Sequence, residues 1–254
     1  MKVWVLNKKR AVSYLLLFLC AVGILALGSI ESKDVYQDGG DKLLPIYSVD
    51  RGDEKIVSLT FDAAWDDTDT DILIRILEKY QAPATFFMVG SWVEKYPESV
   101  KKFHRAGHEI MNHSDTHPHI ENLSSEKIRA ELKNCSDKIE NATGVRPTLF
   151  RGPYGEYNNA VIKEATAQSM QTVQWDVDSL DWKNLPCAEI VERVAKRVKP
   201  GSIILFHNGA KNTPEALPQV IEKLQAEGYR FVKASELIHK ENYTIDHNGK
   251  QIAQ

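Results

Sequence analysis

Residues 11–30 are mostly apolar and hold no charged side chain, and from residue 55 onward short β-rich runs alternate with helical repeats. The first stretch is long enough to cross a hydrocarbon layer of roughly 30 Å as a helix. It follows Lys8-Lys9-Arg10, a basic cluster that the positive-inside tendency keeps in the cytoplasm. Residues 1–30 are therefore expected to be a signal-anchor or a signal peptide. The anchor is the preferred reading, because the apolar core is long for a signal peptide and Ala26-Leu27-Gly28 is a weak cleavage site. Either way, the chain beyond Glu31 is expected outside the plasma membrane, anchored or secreted.

Residues 31–52, polar and Gly-containing without sustained periodicity, read as an extracellular tether. Residues 53–240 read as one folded domain and 241–254 as a C-terminal tail. Strands are predicted over 55–61, 84–89, 108–112, 148–151, 172–177, 202–206 and 230–233. Helices are predicted over 69–80, where Ile72, Ile76 and Leu77 share a face, and over 92–106, 124–142, 157–169, 187–199 and 214–226. Ser124 is an N-cap candidate, and Gly107, Gly144 and Gly228 stand where helices commonly end. Seven strands alternating with six helices predict a mostly parallel α/β sheet covered by helices. An open doubly wound sheet would show the same alternation. Polar motifs following five different strands favour a (β/α) barrel, which collects its site from many strand ends.

Charge and cysteine add little to this picture. Four of the 32 basic residues and none of the 35 acidic ones fall within residues 1–30, leaving a net charge of −7 on the rest. That balance gives no nucleic-acid footprint. Cys135 and Cys187 belong to no closely spaced pair and are poor zinc ligands, and a chain of 254 residues has core enough without a disulfide.

The chemistry lies in Thr60-Phe61-Asp62, His113-Ser114-Asp115-Thr116-His117-Pro118, Arg151-Gly152-Pro153-Tyr154-Gly155, Asp178-Ser179-Leu180-Asp181-Trp182 and Leu205-Phe206-His207. His113 and His117, four apart, can offer two imidazoles to one cation if the chain turns tightly, and Pro118 discourages a helix through them. Asp62 ends a predicted strand, as a general base or as a turn aspartate. His207 also ends a strand, and an imidazole pKa of roughly 6.5 permits both charge states near neutrality. No G-x-S-x-G elbow, H-E-x-x-H helix or glycine-rich phosphate loop is present. A glycosidase using Asp62, Asp178 and Asp181 would leave the histidines and Arg151 unexplained.

In order and composition these five motifs resemble the polysaccharide deacetylase family, the NodB-homology or carbohydrate esterase family 4 enzymes. The resemblance covers about residues 53–240 and implies a distorted barrel of about seven strands. It also implies metal-dependent N-deacetylation of an acetylated amino-sugar polysaccharide, with peptidoglycan of the cell wall or spore cortex as the expected substrate. By resemblance, His113 and His117 hold a divalent metal, zinc being the expected ion, and Asp62 is the catalytic base. Arg151 pairs with Asp62, and His207 is the general acid oriented by Asp181, with Asp178 as second choice. Tyr154, Trp182 and Leu205 would line the substrate groove. One position departs from the pattern. The family reads T-F-D-D-G, whereas this chain has Ala63-Ala64 after Asp62, and Ala63 cannot ligate a metal. Asp66, Asp67, Asp69, Asp115 and Asp62 itself are candidate substitutes. The string Ala63-Ala64-Trp65 resembles the sporulation-associated, PdaB-like branch. It also motivates an alternative function, a catalytically impaired glycan-binding or structural wall protein of the same fold.

Overall fold

The computed structural model describes residues 42–254. The expected signal segment and most of the expected tether lie outside the described residues. Among those described, no helix is long and apolar enough to cross a membrane.

The chain opens with β1 (Ser48–Val49) and β2 (Ile56–Ala63), then α1 (Thr70–Lys79), β3 (Ala84–Met88), α2 (Gly90–Lys95), α3 (Pro97–Arg105) and β4 (Glu109–Asn112). It continues through α4 (Ser125–Thr143), β5 (Leu149–Phe150), α5 (Asn159–Ala167), β6 (Gln171–Thr172) and β7 (Val177–Asp178). Last come α6 (Cys187–Ala195), β8 (Ile203–His207), α7 (Thr213–Ala226), β9 (Arg230–Phe231), α8 (Ala234–Leu237), β10 (Tyr243–Ile245) and β11 (Lys250–Ala253). Seven parallel strands in the order β6-β5-β4-β3-β2-β8-β7 make an incomplete barrel, and β9 pairs with the first two residues of β2. This is the α/β fold that the alternation and the motifs predict.

The pattern of β2 shows how the layers arise. Val57, Leu59, Phe61 and Ala63 point outward into an apolar layer with helix residues such as Leu73, Trp92, Val194 and Leu217. The alternate positions Ser58, Thr60 and Asp62 are buried and polar, on the opposite face. Fully burying a leucine or phenylalanine of that outer layer contributes about 1.5–3 kcal/mol, which fixes the strand's orientation. A slip by one residue would put Asp62 among the helices.

Helix α4 is capped as its sequence suggests: the Ser124 side chain accepts from the Lys127 amide, and Gly144 ends it with φ 76°. Three expectations are corrected. Residues 92–106 are not one helix, because Pro97 starts α3 and Tyr96 before it leaves the helical region at φ −126°, ψ 52°. Residues 172–177 are not one strand. They are the two-residue strands β6 and β7 on opposite edges of the sheet, and residues 173–176 cross the seam between them. There Val173 bridges Ile46, and the Gln174 amide donates to the Ile46 carbonyl at 2.7 Å. Finally, the end of the expected tether and the whole expected tail are folded: β1, β11 and β10 form a three-stranded sheet, and Ile46, Val49, Tyr243 and Ile245 join the core. Strands of two to four residues carry too few positions for alternation to reveal them.

Candidate active site

Asp62 and His207 are partners in register on the adjacent parallel strands β2 and β8. Neighbouring strands lie about 4.8 Å apart, so the two side chains emerge side by side on the same face. Leu205, opposite Thr60 two pairs below, is 2 % exposed and lies on that face too.

Arg151 follows β5 and is wholly buried. Its Nη1 donates to Asp62 Oδ1 at 2.8 Å and to Thr60 Oγ1 at 3.0 Å. Its Nη2 and Nε donate to the Gln174 and Val173 carbonyls at 3.0 and 3.4 Å. The guanidinium also lies over Phe87, 4.1 Å from its ring centre. The pairing with Asp62 is therefore a single hydrogen bond rather than a bidentate fork, because the other donors hold the barrel seam. Burial works against the Asp62 charge, but the Arg151 guanidinium, with His207, outweighs it and holds the carboxyl below the usual range.

His113 stands just after β4 and donates from Nδ1 to the Arg151 carbonyl at 2.7 Å. This leaves the Nε2 lone pair facing Asp62 Oδ2 across 3.6 Å, too far for a hydrogen bond. His117 has a left-handed backbone, φ 59°, and its ring meets that of His113 edge-on at 5.1 Å. The tight turn is made by Ser114, whose Oγ accepts from the His117 amide, and by Glu131, whose carboxylate takes the Asp115 and Thr116 amides. Burial lowers the pKa of both histidines, His117 to about 4, so both are neutral lone-pair donors.

On the facing side, Asp181 is wholly buried and accepts from four groups: His207 Nδ1 and amide, both at 2.8 Å, Thr213 Oγ1 at 2.6 Å and the Trp182 amide at 2.9 Å. Burial disfavours the imidazolium of His207, yet Asp181, Asp62 and Asp178 outweigh burial and raise its pKa. Asp178 instead caps the Leu180 amide. Tyr154 is 61 % exposed, with φ 58°, and its ring lies against His117 and His119. Trp182 is 46 % exposed. Trp65, unassigned by the sequence, stacks on the His207 ring at 5.5 Å and 18°.

The residues present do not complete a metal site. Two imidazoles face the groove, but Ala63 is a buried methyl in the outer apolar layer. None of the candidate substitutes makes up the set. Asp66 binds Thr68, Asp67 accepts from Ser99, Asp69 accepts from the Gly209 amide and Asp115 pairs with Lys138. Among the described residues no group of three or more His, Cys, Asp or Glu side chains could hold one ion. Cys135 and Cys187 are both free.

Residues 50–173 match the polysaccharide deacetylase family model. A peptidoglycan-N-acetylglucosamine deacetylase of Bacillus cereus is 40 % identical over 190 residues, covering 73 % of this chain and 89 % of that protein. The crystal structure of a carbohydrate esterase family 4 pseudoenzyme from Bacillus anthracis superposes with a TM-score of 0.74 at 34 % identity, over 80 % of this chain and 73 % of that one. A mutant of that pseudoenzyme with restored enzymatic activity also gives a TM-score of 0.74, at 37 % identity over 77 % and 71 % of the two chains. Barrel, motif order and relatives agree: the chain belongs to the polysaccharide deacetylase family.

Proposed function

We propose that this protein hydrolyses the acetamide of an N-acetylated amino-sugar polymer, peptidoglycan, on the outer side of the plasma membrane. The observation that carries the proposal is the shared register of Asp62 and His207, which sets an ionised carboxylate beside an imidazole whose protonated form is favoured. Asp62 takes a proton from the attacking water, and Arg151 keeps it charged and aimed. His207 gives its proton to the departing amine nitrogen, and Asp181 fixes its tautomer by accepting from Nδ1. His113 and His117 line the groove as neutral acceptors. The deacetylase relatives support the substrate class. The test is acetate release from N-acetylglucosamine oligomers and from peptidoglycan by folded protein. Release should fall at least a hundredfold in Asp62→Asn and His207→Gln, and no release from either substrate rejects the proposal. Protease accessibility in intact cells tests the address.

A second reading, a glycan-binding protein without turnover, is favoured by the methyl group of Ala63 and the missing third donor. Ala63→Asp adds a carboxylate next to Asp62 on a side chain that has to turn back from the apolar layer to reach the two imidazoles. On this reading zinc binding tightens and acetate release appears only in the variant. Release by the wild type at a rate the substitution does not raise excludes it.

A further inference from the structure

We infer that Trp65 is a sugar-stacking platform, receiving the apolar face of a pyranose ring of a β-linked polysaccharide next to His207. The inference rests on the reading that the groove takes an acetylated amino-sugar polymer, but not on turnover. Tryptophan is usually well buried on average, whereas Trp65 is 48 % exposed. Its ring lies nearly parallel to the His207 imidazole, an interplanar angle of 18° with centres 5.5 Å apart. One indole face is thus occupied by the histidine that protonates the leaving group in the proposed reaction.

The loop bearing Trp65 is held from several sides. The carbonyl of the next residue, Asp66, accepts from Asn208 Nδ2 at 2.6 Å and from Trp92 Nε1 at 3.3 Å. The Asp66 carboxylate takes the Thr68 amide and hydroxyl at 3.0 and 2.6 Å, closing a tight turn. Asp69 Oδ2 accepts from the Gly209 amide at 2.7 Å, tying the far end of the loop to the residues after His207. Gly209 itself, with φ 73°, lies close to the base of the Trp65 side chain: a Cβ there would come 3.4 Å from Trp65 Cβ. A solvent-exposed aromatic so anchored loses little entropy when a ligand covers it, the condition under which stacking adds affinity.

The chemistry of the partner follows from the surface offered. An indole is flat, with a negative face edged by positive hydrogens. A pyranose whose substituents are equatorial presents axial C–H groups to such a face, and β-linked acetamido sugars are of that kind. Trp182, 46 % exposed, directly follows Asp181, the carboxylate that holds His207. Tyr154, 61 % exposed, stands by His117 on the side of the second motif.

The test uses wild type, Trp65→Phe and Trp65→Leu, each checked for an unchanged melting curve. Binding of the N-acetylglucosamine tetramer is measured by calorimetry, with acetate release followed in parallel. Trp65→Leu, which keeps apolar volume but has no flat face, should bind roughly tenfold more weakly, and Trp65→Phe should recover most of the loss. Equal binding by wild type and Trp65→Leu, or no binding by the wild type, overturns the inference. Tetramer binding that depends on Trp65 without acetate release rejects the hydrolytic proposal while leaving the platform in place.

Discussion

Arg151 shows how much one buried side chain is asked to do. It neutralises Asp62, satisfies Thr60 and takes two seam carbonyls, all without contact with solvent. A lysine carries the charge but not the planar array of donors. Arg151→Lys should therefore cost about 3 kcal/mol, since breaking a buried pair or orphaning buried acceptors has that scale. Urea denaturation reads this, and a loss below about 1 kcal/mol would mean that water or a shift of the chain replaces the missing donors. Asp69 makes a pH-dependent contribution. Burial, with the nearby Asp66 and Asp181 carboxylates, raises its pKa to about 6 from an ordinary 3.8, although the Gly209 amide pulls the other way. The native state thus holds a proton that the unfolded chain releases between these values. Stability falls as pH rises from about 4 to 6, by roughly 3 kcal/mol at 1.36 kcal/mol per pKa unit. Asp69→Asn cannot titrate yet still accepts from Gly209, so wild type should lose that stability relative to the variant between pH 4 and pH 7. Parallel melting profiles would refute it. At this scale the motifs pointed to Asp62, Arg151, His113, His117, Asp181 and His207, because each stands at a strand end or within a few residues after one and carries distinctive chemistry. Thr213 and Glu131, which orient those groups, were not legible. Each is a common residue type whose partner lies 32 or 15–16 positions away.

Elements were legible where they are long and strongly periodic, and illegible where two or three residues suffice. Helix α7 and strand β8 differ from prediction by a residue or so at their ends, whereas β6 and β7 were merged and β10 and β11 missed. The merger has a physical cause. Thr172 to Val177 is a β-rich run, and whether such a run stays on one strand or crosses an edge depends on pairing partners distant in sequence. The small sheet is joined to the barrel at Gly201, whose carbonyl accepts from the Val49 amide at 3.0 Å and whose amide donates to the Ile56 carbonyl at 2.8 Å. Its φ is +82°, and a Cβ would sit 1.8 Å from the Val49 carbonyl oxygen. Gly201→Ala must therefore move backbone. It should destabilise by more than about 1 kcal/mol, with faster hydrogen exchange at Val49 and Asp50 before the rest of the protein. Unchanged exchange there would show that the join is not rigid.

For the molecule as a whole, motifs at the ends of several strands were enough to favour a barrel over an open sheet, but they gave no hint of where the barrel stays unclosed. Its edges are the two-residue strands β6 and β7, and the wall between them is single chain, residues 173–176. Ile46 covers that chain, which predicts that Ile46→Ala will speed hydrogen exchange at Gln174 and lower acetate release in the same proportion. Exchange that quickens while release is untouched would separate the two. They are expected to move together because the guanidinium that grips the Val173 and Gln174 carbonyls is the one that keeps Asp62 charged. The wall and the base share this guanidinium. When the seam loosens enough to draw the guanidinium away, the carboxylate loses the charge that offsets its burial. An open molecule is thus an idle one, and groove and reactivity assemble together or not at all.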